Sequence, residues 1–326
     1  MTLLLNRAEL ERLLDVPSAI DAVERGFADY SAGKVVMPVR TAVRVPEPPG
    51  TLLVMPCAMT DSKVLGTKLV SLFLQNPSRN LPVIGAIYVL LDYETGFPVA
   101  VMDAGYMTGL RTAAASAVAT KYLAREDSRT LGIFGVGVQG EFHALCIPAV
   151  RPIEKILVWS RNAVGVAAFC ERMGARLGIE TVPGASIEEV AGCDILATGT
   201  TSPTPLFDGT LLRPGTHVNN VGSHAPTTRE MDTRAVSRST VVVDAYEAAW
   251  AESGDILIPI DEGAITREHV VAELGEIVLG TKPGRKSADE LTLFKSNGLA
   301  FQDAVTAGLA LARAREAGVG TEFNFG

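Results

Sequence analysis

The chain has 326 residues, 47% of them hydrophobic and 20% charged, with a formal net charge of −8. These totals describe a globular protein with a sizeable core, long enough for one large or two ordinary domains, and exclude a disordered chain. An acidic balance with no basic cluster argues against nucleic acid as a partner, and no run approaches the roughly 18 uninterrupted apolar residues of a membrane span.

Between Asn6 and Tyr30, Leu10, Leu13 and Leu14 recur at helical spacing, as do Ile20, Val23 and Phe27. Pro17 marks a fresh helix start between the two groups. Residues Met37 to Val45 and Thr51 to Pro56 read as strands around the bend Glu47-Pro48-Pro49-Gly50. Val64 to Leu72 and Ile84 to Leu91 read as further strands, and Glu94-Thr95-Gly96-Phe97-Pro98 turns a hairpin into Val99 to Met102. The first hundred residues therefore supply two helices and mostly antiparallel strands. Met107, Leu110, Ala114, Ala117 and Val118 then return to helical spacing, with Thr108 a fair N-cap and Arg111 in the first turn.

From Thr130 the rhythm becomes strand, helix, strand. The apolar run Leu131 to Phe134 enters Gly135-Val136-Gly137-Val138-Gln139-Gly140, and a helix-compatible stretch leads to Ile156 to Trp159. This is the order of a dinucleotide-binding unit. Gly135 permits a tight turn, Gly137 lets the backbone approach a pyrophosphate, and Gly140 lets helix and strand pack closely. The second strand ends in Ser160-Arg161-Asn162, with no carboxylate to accept from a ribose 2′-hydroxyl. Arg161 can pair with a 2′-phosphate, so NADP(H) is preferred and NAD(H) stays possible; a solvated arginine is the other reading. Ser186-Ile187-Glu188-Glu189 reads as a capping box. Asp194 to Thr198, Thr216 to Val221 and Thr240 to Asp244 read as buried strands, and Gly298 to Ala317 as a helix.

Cys57, Cys146, Cys170 and Cys193 lie far apart without a CxxC, and the four histidines are equally dispersed. Reduced core cysteines in a cytoplasmic protein are expected, with no metal site. The apolar start Met1 to Leu5 is too short for a signal peptide. Three cations stand in apolar, structured surroundings: Arg40, Lys68 and Arg111. Snorkelling to solvent is the bland account of each. Arg111 is the sharper case, because a cation in a first helical turn opposes the helix dipole unless an anion is bound. Two arginines and a lysine suit an α-carboxylate, and the lysine can exchange a proton if neighbouring charge lowers its pKa.

The run Met102 to Ala115, containing Gly109-Leu110-Arg111-Thr112-Ala113, closely resembles the signature of the ornithine cyclodeaminase/mu-crystallin family. Gly66-Thr67-Lys68, the glycine loop with Gln139, Ser253-Gly254-Asp255 and Lys295-Ser296 agree in the same order. The resemblance covers essentially the whole chain. It implies an α/β fold in which a Rossmann doubly wound domain (126–299) is inserted into a strand-rich α+β substrate and dimerisation domain (1–125 plus 300–326) of a homodimer. It places Arg40, Lys68 and Arg111 on the substrate carboxylate, with Lys68 catalytic. Thr112, Val138, Gln139, Ser160, Arg161, Thr198, Val221 and Ser296 fall on the cofactor, beside the three glycines. Cyclodeaminases of the family carry an aspartate where this chain has His224; by that position His224 is a further substrate-binding candidate that could act as a base but would not attract a substrate's distal ammonium, and a loop histidine at the cleft is the other reading. The resemblance therefore favours reduction of a cyclic imino acid to L-proline or L-pipecolate. Ornithine cyclodeamination, a linear amino-acid dehydrogenase and a non-catalytic NADP(H)-dependent binding protein are the alternatives.

Overall fold

A computed structural model describes residues Met1–Phe325, which divide into two compact units. The first comprises Met1–Arg111 and Leu299–Gly326, the second Thr112–Gly298. In chain order the first unit opens with β1 (Thr2–Leu5), α1 (Arg7–Leu13), α2 (Val16–Ser31), β2 (Val35–Val36), β3 (Thr41–Val45) and β4 (Gly50–Met59). It continues through β5 (Val64–Leu72), β6 (Ile84–Leu91), β7 (Pro98–Asp103) and the first part of α3 (Ala104–Leu123). The second unit holds β8 (Thr130–Phe134), α4 (Val138–Cys146), β9 (Lys155–Trp159), α5 (Ala163–Leu177), β10 (Glu180–Pro183), α6 (Ile187–Ala191), β11 (Ile195–Thr198) and β12 (His217–Asn220). Then come α7 (Thr233–Ser237), β13 (Thr240–Val243), α8 (Tyr246–Glu252), α9 (Gly254–Asp261), β14 (Val270–Glu273), α10 (Leu274–Val278) and β15 (Thr292–Lys295). The chain returns to the first unit with α11 (Ala300–Ala317) and β16 (Thr321–Phe323).

The first sheet runs β16-β1-β7-β6-β5-β4-β2, with β3 also on β4; it is antiparallel except where β1 meets β7. Helices α1 and α2 start where the sequence supplies caps. Asn6 accepts from the Glu9 N–H at 3.0 Å while Glu9 accepts from the Asn6 N–H at 2.8 Å, and Asp15 accepts from Ser18 with Pro17 in the first turn. Helix α2 buries Ile20, Val23 and Phe27. A Cβ on Gly26 would lie 2.9 Å from the Phe301 ring, so only glycine lets α2 and α11 approach this closely. That contact helps seat α11, whose buried stripe Ala300, Asp303, Ala304 and Ala307 faces the core of this unit.

The second sheet is parallel, in the order β10-β9-β8-β11-β12-β15-β13-β14. Successive residues feed cores on its opposite faces: Leu131, Ile133, Ile156 and Val158 on one, Phe134, Leu157, Leu196 and Val218 on the other. The order reverses between β8 and β11, the switch point at which doubly wound sheets open a crevice outside their carboxyl ends. The unit boundary falls inside α3, earlier than residue 125. The second half of this helix bonds to the nucleotide side of the chain: Ser116 to His143 at 2.8 Å and Thr120 to Asn219 at 2.9 Å. The capping box at Ser186 is half formed. Its hydroxyl takes the Glu189 N–H, but the Glu189 carboxylate turns to the Ala185 N–H at 2.6 Å.

Candidate functional site

Lys68 lies on β5, opposite Met55 of β4 and Tyr88 of β6. It is 1% exposed, and its Nζ stands 2.7 Å from Asp303 Oδ2 on α11. Arg111 on α3 donates through Nε to the other oxygen, Asp303 Oδ1, at 3.0 Å, and through Nη1 to Gln302 Oε1 at 2.7 Å. Arg40 is half-buried, near enough for its charge to act on Lys68. Burial first, and then the Arg111 and Arg40 charges, outweigh Asp303 and bring Lys68 down to about 7. Lys68 and Arg111 thus share one internal carboxylate, with the Arg40 charge close by. Buried polar atoms without partners border the group: Gln302 Nε2 and the Tyr88 hydroxyl.

Three expectations need correction. Arg111 is not in a first helical turn, and Thr108 is not a cap. Helix α3 begins at Ala104, where Asp103 Oδ1 accepts from the Gly105 and Tyr106 N–H groups at 3.0 and 3.3 Å. The counter-charge of Arg111 is Asp303, not a dipole-driven demand for ligand. Arg40 also lies outside any strand, because Pro38 cannot donate to a ladder and pairing resumes only at Thr41 with Val54.

The second unit builds a cradle of a different kind. Gly135, just beyond β8, has φ +105°, and a Cβ there would sit 3.3 Å from the Gly199 carbonyl. Gly137 caps α4, and nothing lies within 4 Å of the place its Cβ would occupy. A Cβ on Gly140 would run into the Gly135 carbonyl and come within 3.3 Å of Ile133. The three glycines thus divide as turn, open approach and close packing, which fits a pyrophosphate on the free N–H groups of α4. Val138 is exposed at the first residue of that helix, and Gln139 keeps a buried Oε1 without a partner. Register aligns Phe134 with Trp159 and Thr198, Thr198 with Asn220, and Asn220 with Lys295. Gly135, Ser160, Thr198, Val221 and Ser296 therefore end or follow strands along one carboxyl edge. Thr112 is buried on α3, Arg161 is exposed past β9, and Asn162 Oδ1 is engaged in capping α5 at 3.0 Å from Gly165 N. His224 is exposed in the loop after β12 and belongs to this unit, whereas Arg40, Lys68 and Arg111 belong to the other. Among the described residues no group of His, Cys, Asp and Glu could hold a metal ion, and the four cysteines are free and buried.

A family model for the ornithine cyclodeaminase/mu-crystallin family matches residues 1–318. The chain belongs to this family. A Delta(1)-pyrroline-2-carboxylate reductase of Bacillus cereus is 35% identical over 328 residues, covering 99% of this chain and 100% of the relative. Among solved structures, the Thermococcus litoralis Delta(1)-pyrroline-2-carboxylate reductase in complex with NADH and L-proline is 44% identical. It covers 99% of this chain and 100% of its own, with a TM-score of 0.96. An archaeal alanine dehydrogenase dimer with bound NAD is 35% identical, covers 99% of each chain and has a TM-score of 0.94.

In this member of the ornithine cyclodeaminase/mu-crystallin family, several structural residues were missed in the sequence. Asp303 and Gln302 carried a signal: a carboxylate at the apolar spacing of Ala300, Ala304 and Ala307 is out of place on a buried stripe unless it has a charged partner. Glu230 carried none. It is buried and accepts from Thr198 Oγ1 (2.8 Å), Thr200 N (2.7 Å), Gly222 N (2.7 Å) and Asn220 Nδ2 (3.2 Å), tying the ends of β11 and β12 together. Asp255, from Ser253-Gly254-Asp255, takes the Glu230 and Met231 N–H groups at 2.7 and 2.8 Å and faces Lys295 at 3.0 Å. Asp244 takes the Asn297 and Gly298 N–H groups and the Ser296 hydroxyl, which sets the turn after β15.

Proposed function

We propose that this chain is an NAD(P)H-dependent imine reductase that converts 1-pyrroline-2-carboxylate, or the six-membered 1-piperideine-2-carboxylate, to L-proline or L-pipecolate. The observation that carries this reading is the buried group Lys68, Arg111 and Asp303 beside the half-buried Arg40, in a chain 44% identical to a reductase solved with NADH and L-proline. Arg111 and Arg40 hold the α-carboxylate, and Lys68 adds a point charge that can also carry a proton. A reduced nicotinamide supplies hydride when bound. A protonated imine is already electrophilic, so the main contribution of these side chains is orientation.

Gly135, Gly137, Val138, Gln139 and Gly140 cradle the dinucleotide, with Thr112, Ser160, Thr198, Val221 and Ser296 along its path. Arg161, at a strand end without a carboxylate, supports a preference for NADP(H); NAD(H) remains the alternative, in keeping with the NADH and NAD of the two solved relatives. A homodimer through the first unit is supported by exposed Val43 and Ile87 on the sheet face opposite Lys68, and by the dimeric alanine dehydrogenase. Four free cysteines support a reducing, cytoplasmic setting. No described helix is long and apolar enough to cross a membrane.

A linear amino-acid dehydrogenase is the second reading, favoured by the alanine dehydrogenase relative. Product analysis separates them. Chiral chromatography after incubation with reduced dinucleotide and either the cyclic imine or pyruvate plus ammonia yields L-proline on the first reading and L-alanine on the second. Ammonia released from L-ornithine without net dinucleotide turnover contradicts both.

A further inference from the structure

We propose, resting on the reductase reading, that Asp303 is a positioning residue: its two carboxylate oxygens hold Lys68 and Arg111 side by side and keep Lys68 protonated for the incoming carboxylate. The geometry is specific. One oxygen meets the Lys68 ammonium at 2.7 Å, the other meets Arg111 Nε at 3.0 Å, and Asp303 is wholly buried. Gln302, its neighbour on α11, takes Arg111 Nη1 at 2.7 Å, so two consecutive residues of one helix fix the guanidinium plane. That plane is what a bidentate carboxylate contact requires.

The charge argument points the same way. Lys68 is faced by Arg111 from α3, Arg40 from the segment before β3, Asp303 from α11, Tyr88 from β6, and Cys57 on β4, whose thiol also feels Asp303. Burial pushes Cys57 up to about 12 and Tyr88 well above its ordinary value, so both stay neutral near neutral pH. Both arginines and burial work against the ammonium, and Asp303 works for it through charge and hydrogen bond. Without that carboxylate Lys68 is left as a buried amine between two cations and loses its proton at lower pH. A scaffold that only filled space here would have no use for a carboxylate whose every oxygen points at a cation.

The test is calorimetric titration of the whole protein, dinucleotide bound, with pyrrole-2-carboxylate, a planar carboxylate that cannot be reduced, between about pH 5.5 and 8.5. Wild-type affinity should fall as pH rises through about 7, where Lys68 titrates. In Asp303→Asn that fall should begin at least about one pH unit lower, with affinity at the acid end no weaker than wild type. Asp303→Glu should move the fall back toward wild type. An unchanged midpoint, or weakening by one factor at every pH, overturns the role assigned to Asp303 while leaving the reductase reading standing. A wild-type protein that does not bind the probe overturns both. If Asp303→Asn does not fold, carbon NMR of Lys68 in the wild type, assigned with Lys68→Arg, decides: protonated at about pH 6 supports the role, and neutral there overturns it.

Discussion

Asp303 and Lys68 form an ion pair of 2.7 Å in which neither side chain is more than 1% exposed. A buried charge is tolerated only with a partner, and breaking such a pair from one side costs about 3–5 kcal/mol. In Lys68→Met, Asp303 keeps Arg111, so the fold should survive. Turnover should drop by about 10²-fold or more, as expected when a substrate's anchor is lost. Dinucleotide affinity should be unchanged, because its candidate contacts lie in the second unit. Steady-state kinetics and a fluorescence titration with reduced dinucleotide check the two halves separately, and unchanged turnover removes Lys68 from the mechanism.

The position of Lys68 at about 7, below its ordinary 10.5, gives two pH effects of opposite sign. As pH rises through about 7 the ammonium is lost, so kcat/KM for an anionic substrate should fall. Between about 7 and 10.5 the unfolded chain binds more protons at this residue than the folded one, so its contribution to stability rises with pH. Urea denaturation and kcat/KM across this window, each compared with Lys68→Met, check both. The variant should lack the activity limb and this part of the stability slope.

Gly137 and Gly140 should respond differently to alanine. Nothing stands near the Cβ that Gly137 lacks, so Gly137→Ala should keep its melting temperature yet weaken dinucleotide binding by about tenfold, equal to ~1.4 kcal/mol. Gly140→Ala drives a methyl into the Gly135 carbonyl and should lower the melting temperature as well. Equal melting losses in the two variants would contradict the division of labour among the glycines.

Arg161→Asp exchanges a 2′-phosphate partner for a 2′-hydroxyl acceptor at the end of β9. The ratio of kcat/KM for NADPH over NADH should fall by roughly tenfold or more, the equivalent of one charged hydrogen bond. An unchanged ratio makes Arg161 a solvated arginine.

The nucleotide unit was readable from the sequence because its signals are local. Leu131 to Gly140 holds strand, turn and helix start within one short stretch, and each glycine meets a distinct steric demand. The cation group was readable only as three charges out of place. Its organising carboxylate lies 235 residues from Lys68 and 192 from Arg111, and only the contact of α11 with α2 and the first sheet brings it there. The start of α3 was misread because Asp103, rather than Thr108, supplies the cap, and Asp103 also ends β7. Glu230 was invisible for a related reason. It lies in a loop, and its burial depends on Thr198, Thr200, Asn220 and Gly222 converging from two strand ends.

The most direct test of the central claim is the initial rate of NADPH and NADH oxidation with 1-pyrroline-2-carboxylate, followed by absorbance, for wild type and Lys68→Met side by side. Rapid oxidation by wild type, faster with NADPH and lost in the variant, is the predicted result. A wild type that binds dinucleotide but oxidises it with neither this imine nor 1-piperideine-2-carboxylate would contradict the account.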